Sequence, residues 1–169
     1  MNKLYNPVKN NQECEKVIKG TFQGVLCMVD NNAPYALPIN HAYQDGKFYF
    51  HSAAVGRKLE VIQKNPCVTF LISKFYGDPA DFQKSLRCHG CWESVIATGK
   101  ARVISEKEEL TATFKTFMAY YGEPDFEPGE DTFEKTKAIL LEVESMTARR
   151  EDKEGHTEYW VWEKEPSRP

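Results

Sequence analysis

The run His51-Ser52-Ala53-Ala54-Val55-Gly56-Arg57-Lys58-Leu59-Glu60 collects the groups that an anion site needs. It begins where a strand should end and closes in the first turn of a helix. It offers a hydroxyl, a glycine that lets the backbone approach closely, two cations and a helix N-terminus. Backbone dipoles and charge-assisted donors of this kind hold a phosphate. The bland alternative is an ordinary strand–helix connection with solvated Arg57 and Lys58.

A second motif is Cys88-His89-Gly90-Cys91. Such a pair serves redox chemistry through a lowered thiol pKa, or supplies half of a zinc site. No second CxxC or HxxxH completes a zinc set, so no metal is expected. Cys14, Cys27 and Cys67 are scattered. His41 is expected to be a half-exposed strand-end histidine, and His156 a solvated one in a charged loop.

The elements that must position these residues follow from periodicity and turn chemistry. Asn11 is expected to cap a short helix ended by Gly20. Gly24–Val29, Tyr35–Tyr43 and Lys47–His51 read as three strands. Asn31-Asn32-Ala33-Pro34 and Asp45-Gly46 join them as turns, and Pro38 should limit regular pairing. Arg57 to about Gln63 is a helix stopped by Asn65-Pro66. Val68–Ser73 reads as a strand buried on both faces. Trp92–Ile104 is a long strand with a bulge or bend expected at Gly99. Ser105 and Glu108 form a capping-box pattern, and Leu110, Phe114, Phe117, Met118 and Tyr121 recur at helical spacing until Gly122. Ala138–Met146 and Tyr159–Glu163 are the last strands. Arg149–His156 between them should be exposed, and Trp160 and Trp162 should pack or serve a dimer. At least six short strands with peripheral helices favour a small, mainly β barrel over a parallel α/β sheet.

Composition limits the functions open to this fold. The chain has 169 residues, which suits one domain. Its 22 Lys+Arg against 25 Asp+Glu give −3, which argues against nucleic acid as partner. No apolar run approaches the roughly 20 residues of a membrane-spanning helix. The polar first residues do not read as a secretory signal. Five cysteines in such a chain suggest free thiols and a cytoplasmic setting.

The ordered set from Gly24-Val25-Leu26-Cys27 through Pro34-Tyr35, Pro38-Ile39-Asn40, Asp45-Gly46, Tyr49-Phe50-His51-Ser52, Gly56-Arg57-Lys58 and Asn65-Pro66-Cys67-Val68 resembles a known family. It is similar to the FMN-binding split-barrel flavoproteins related to pyridoxamine 5′-phosphate oxidase, and most similar to their nitroimidazole-resistance branch. Ser94-Val95-Ile96 and Gly99-Lys100-Ala101 continue the match, which covers about 17–147. The resemblance implies a six-stranded split barrel over the whole chain, assembled as a homodimer with FMN, or FAD, in clefts at the interface. It implies that Ser52, Arg57 and Lys58 hold the cofactor phosphate. Pro38, Ile39 and Asn40 would run beside the isoalloxazine, Tyr49 and Phe50 would line the next strand, and Ser94 would approach from the long strand. His51 would be the catalytic position beside flavin and substrate. Thr147-Ala148-Arg149 replaces the Thr-Gly-Lys common in relatives.

The implied reaction is electron or hydride transfer from NAD(P)H to a small acceptor such as a nitroaromatic. No Ser-His-Asp or paired-carboxylate arrangement is legible, so chemistry carried by a cofactor fits better than acid–base hydrolysis. No GxGxxG is present, so a nicotinamide would bind transiently over the flavin. Two alternatives belong to other classes. One is a haem-binding split barrel ligated by His41, His51, His89 or His156. The other is a non-catalytic flavin-binding redox sensor using Cys88 and Cys91.

Overall fold

Two type I′-like turns set the register of the first half of the sheet. Asn31 and Asn32 lie at φ 50° and 65°, and Asp45 and Gly46 at φ 49° and 74°. These left-handed positions match the twist of antiparallel strands. The computed structural model describes residues 7–76 and 91–164. In chain order the elements are β1 (Val8–Lys9), α1 (Asn11–Lys19), β2 (Gln23–Asp30), β3 (Ala33–Asn40), β4 (Ala42–Gln44) and β5 (Lys47–Ala53). They continue with α2 (Arg57–Lys64), β6 (Cys67–Phe75), β7 (Trp92–Ile104), α3 (Lys107–Tyr120), α4 (Glu130–Lys135), β8 (Thr136–Glu151) and β9 (Thr157–Trp162).

The fold is mainly β, as expected. The six expected strands are a minimum, because nine join one sheet among the described residues. Seven strand segments are read from the sequence, and the two further strands are the short β1 and the one gained by the division of 35–43 at His41 into β3 and β4. The main order is β1-β9-β8-β7-β6-β2-β3. β5 pairs with the first half of β8, and β9 pairs with its second half on the same edge. β3 and β5 touch but share no ladder, so the barrel is not closed there.

β8 makes this arrangement possible. Its 16 residues pair with β7 along nearly their whole length. The register shifts at Thr98/Gly99, the bend expected from the glycine. A Cβ on Gly99 would stand 2.0 Å from the Glu142 carbonyl oxygen, so only glycine admits the crossing. Ile139 and Leu141 point into the barrel with Phe48, Phe50 and Phe70. Ala138 and Leu140 point the other way, under Leu110 and Phe114 of α3. This half of β8 is therefore buried on both faces.

Several local expectations are corrected. β6 is not buried on both faces: Val68, Phe70 and Ile72 face the core, while Thr69 and Leu71 are half-buried on the outer face. Pro38 pairs regularly with Val25, because β3 is an edge strand and the missing N–H faces no neighbour. Asn10, not Asn11, caps α1, its side chain accepting from the Glu13 N–H at 3.1 Å. α3 starts after Glu106 with no side-chain cap, so the Ser105–Glu108 capping box does not form. Arg149–Glu151 is strand, not exposed loop, and Glu151 is buried. Trp160 and Trp162 are core, as the alternation suggested.

The crossing at Gly99 yields a test. Gly99→Ala should destabilise the protein by at least about 2 kcal/mol, since overpacking against backbone cannot relax by a rotamer change. Urea unfolding read by far-UV circular dichroism measures it; an unchanged midpoint would contradict this register.

Candidate functional site

The opening between β3 and β5 gathers most of the residues singled out in the sequence. β5 presents alternate side chains to two environments. Phe48, Phe50 and Ser52 are buried, while Tyr49 and His51 face the α3 side. Three residues past the strand, Gly56 caps α2 at φ +139°, a value that favours glycine, with nothing within 4 Å of where a Cβ would stand. No side chain caps this N-terminus. The Leu59 and Glu60 amides turn back to the Gly56 carbonyl at 3.0 and 3.5 Å, which leaves the Arg57 and Lys58 amides, without a side-chain cap, as the donors an anion site needs.

Arg57 is held in place by another part of the chain. Its Nε donates to Asp30 Oδ2 at 2.9 Å, and its guanidinium lies 4.3 Å from the Tyr35 ring centroid. This pins α2 to the β2–β3 turn while leaving the outer edge of the fork for another acceptor. Lys58 is half-buried, and its charge bears on His51. The Ser52 hydroxyl, buried, donates to the Ala53 carbonyl at 3.0 Å. His51 is exposed, with its ring edge-on to Phe117 at 5.0 Å. Loss of solvation, and then the Lys58 charge, push its pKa below the ordinary value, so it is neutral at pH 7.

Asn40 and Pro38 are exposed on the outer face of β3. Asn40 Oδ1 accepts from Gln23 Nε2 at 3.5 Å. Ile39 and Phe50 give their side chains to the core, so only their backbone groups reach the opening. Tyr49 packs against the cluster under α3. Ser94 is not brought to this group. It sits on the outer face of β7 opposite Ser73 and Arg149, three strand spacings or about 14 Å from β3.

Ser94 belongs instead to a second cleft of about 210 Å³, lined by Trp92, Ile96, Thr147, Arg149 and Tyr159. There the Arg149 guanidinium lies 4.2 Å from the Trp92 ring centroid and 5.1 Å from that of Tyr159. Its Nη2 donates to Glu151 Oε2 at 2.9 Å. Across the same face the rows Pro38–Val25–Leu71–Ile96–Thr147–Val161 and Ala36–Cys27–Thr69–Thr98–Ser145 carry no charge.

His41 is corrected from half-exposed to fully buried. Its ring lies against Phe48, Phe70 and Tyr120, and neither nitrogen has a hydrogen-bond partner. The Ile18 backbone group acts in the opposite direction from outside bonding geometry, and burial outweighs it. Burial lowers the His41 pKa from the usual 6.5 to about 4. His156 is exposed, with Nδ1 3.0 Å from Asp152 Oδ2. Cys88 and His89 lie outside the described residues, so their expected roles stay expectations; Cys91 is free and half-buried.

Asp30 and Tyr35 were not singled out from the sequence, because their contact with Arg57 spans 22 residues or more. Phe117 and Tyr121 were read as core from their helical spacing. Phe117 is buried, yet its ring also backs His51.

The family model described as pyridoxamine 5′-phosphate oxidase matches residues 10–150. An uncharacterized protein of Rhizobium meliloti (strain 1021) is 26% identical over 110 residues, covering 65% of this chain. The match spans 61% of that relative's own length, less than two thirds. A candidate 5-nitroimidazole antibiotic resistance protein from Bacteroides thetaiotaomicron superposes with TM-score 0.69 at 24% identity, over 83% of this chain and 84% of its own. The FAD and heme binding protein of Mycobacterium smegmatis gives TM-score 0.70 at 11% identity, over 90% and 82%. At these identities the likeness is one of fold. No helix among the described residues is long and apolar enough to cross a membrane.

His41 yields a pH prediction. Between pH 6.5 and about 4 the unfolded chain binds a proton that folded His41 refuses, so stability falls as pH falls through this window. The loss attributable to His41 should be about 3 kcal/mol. Unfolding by denaturant at pH 7 and pH 4 measures it, and His41→Phe should flatten that part of the slope.

Proposed function

Because the chain belongs to the pyridoxamine 5′-phosphate oxidase family, we propose that it binds FMN at the opening between β3 and β5. We propose further that it acts as an oxidoreductase on a small acceptor such as a nitroaromatic, with NAD(P)H as transient donor. The observation that carries this reading is the glycine-capped N-terminus of α2, which has no side-chain cap, with Lys58 and His51 beside it at the mouth of an unclosed barrel. That donor set fits a phosphate monoester: backbone amides, an ammonium and the free edge of the Arg57 guanidinium. Ser52 would join by turning its hydroxyl away from Ala53. Flavin, when bound, supplies the capacity to take up and release a hydride or single electrons.

The chain's own residues then have definable tasks. Pro38 and Asn40 would flank the ring system with backbone groups and an amide. His51, neutral at pH 7, has one nitrogen to donate and one to accept, so it would hold or pass a proton at the ring edge. Loss of solvation, with the Lys58 charge adding to it, holds that imidazole's pKa down, and Lys58 favours negative charge nearby. The proposed assembly is a homodimer joined through the two uncharged rows on the outer face of β2, β3, β6, β7 and β8, where Ile96 is 46% exposed. That arrangement would carry Ser94 and Arg149 of one copy toward the opening of the other.

The deciding experiment is the visible spectrum of the purified protein, with any cofactor identified after denaturation. A flavin spectrum with FMN released supports the reading, and FAD released would change the cofactor but keep the site. A Soret band would replace it with haem binding, where His51 is open to solvent and His41 is not. A colourless protein that takes up no added flavin overturns it.

Two substitutions extend the test. Arg57→Ala with Lys58→Ala should weaken FMN binding by about 3 kcal/mol, roughly a hundredfold, as charge-assisted hydrogen bonds are lost. Equilibrium fluorescence titration reads that change. Ile96→Glu should convert the dimer to monomer in light scattering, since a carboxylate would be desolvated at the centre of the interface.

A further inference from the structure

FMN and FAD are identical up to the first phosphate, so the residues around and beyond that phosphate decide between them. In this chain they are gathered by Arg57, the first residue of α2. Its side chain is 59% exposed, yet it is not free. Nε donates to Asp30 Oδ2 at 2.9 Å, and the guanidinium lies 4.3 Å from the Tyr35 ring centroid. An exposed ion pair alone contributes little. This one has an aromatic ring against its flat face, so the planar head is held in one orientation.

The β2–β3 turn builds the other side of the contact. Asp30 is the last residue of β2, and its side chain is only 16% exposed. Its second oxygen, Oδ1, accepts from Asn31 Nδ2 at 3.1 Å. Asn31 and Asn32 hold positive φ and bring Ala33 back opposite Asp30. Tyr35 lies two residues further along β3, half-buried and packed against the core. The clamp is therefore ordered before any ligand arrives, which lowers the entropy lost on binding.

The clamp treats a terminal phosphate and a pyrophosphate differently. A terminal phosphate carries its charge on one phosphorus, which suits the Arg57 and Lys58 amides, the Lys58 ammonium and the outer edge of the Arg57 fork. A pyrophosphate adds a second anionic group where the Arg57 Nε is already taken by Asp30, and like charges repel there. An adenine base beyond it needs a ring to stack on. The face of Tyr35 that could serve is covered by the guanidinium, while the ring also packs on the core.

We infer that Asp30, Arg57 and Tyr35 close the phosphate end of the opening and select a flavin that ends in a monophosphate over a flavin dinucleotide. The inference rests on the flavin reading above and adds the residues that choose the cofactor. Asp30 and Tyr35 act through Arg57, so they are positioning residues.

The test is equilibrium binding of FMN, FAD and riboflavin to the purified protein freed of any flavin it carries, read by flavin fluorescence. The wild-type chain should bind FMN at least about tenfold more tightly than FAD. Asp30→Asn should cut that preference about tenfold, in keeping with the loss of one charge-assisted contact. The riboflavin Kd should stay unchanged, since riboflavin carries no phosphate. Tyr35→Ala should also narrow the preference, and Tyr35→Phe, which keeps the ring, should restore it. A wild-type chain that binds FAD as tightly as FMN overturns this inference and leaves the flavin reading standing. So does an FMN preference that survives Asp30→Asn or Tyr35→Ala. A riboflavin Kd that rises as much as the FMN Kd also overturns it, because these residues would then support the fold and not the phosphate end. A wild-type chain that takes up none of the three flavins overturns the underlying reading, and this one with it.

Discussion

The β7–β8 ladder is the interaction on which the rest of the structure depends. Thirteen residues of β7 and sixteen of β8 run antiparallel through one register shift at Gly99. Because β8 outlasts any single partner, its other edge serves β5 first and β9 afterwards. The bend at the shift redirects it from one partner to the next. An extra residue in one strand strengthens local twist in this way. The carbonyl of Glu142 lies so near Gly99 that a side chain there would break the crossing.

From that crossing follows the opening that matters for function. β5 is committed to β8, and β3 to β2, so these two strands approach without pairing. His51 and the start of α2 lie at one side of the gap and Asn40 at the other. α3 covers the outward face of β5 and the first half of β8, which explains why Ala138–Leu141 is uniformly apolar. Among the described residues no helix covers the outer face of β2, β6 and β7 in this way. Its rows of small and uncharged residues are what an assembly surface requires, since charged side chains are depleted from interface centres.

Electrostatics separates the two ionisable histidines of the core region. His41 sits among Phe48, Phe70 and Tyr120 with no partner for either nitrogen, and burial holds it neutral well below pH 6. It is a structural side chain with an acid liability. His51 keeps access to solvent and takes its lowered pKa partly from Lys58. A histidine that is neutral, exposed and beside a cation is suited to proton handling; one that is sealed among rings is not.

Much of this was legible in the residues themselves. The Asn31-Asn32 and Asp45-Gly46 turns, the bulge at Gly99, the strand–helix run around Gly56 and the family match are local or ordered along the chain. Local signals survive because turn geometry and glycine tolerance are properties of a few adjacent residues. What the tertiary structure decided were distances between segments far apart in sequence. The pairing of Arg57 with Asp30, the sealing of His41 and the separation of Ser94 from His51 are of this kind. So is the exposure of Phe22 at the end of a series of rings that runs from His51 through Phe117 and Tyr121. Periodicity assigns a residue to a face of its own element, but which other element covers that face depends on how β8 divides its edge between β5 and β9.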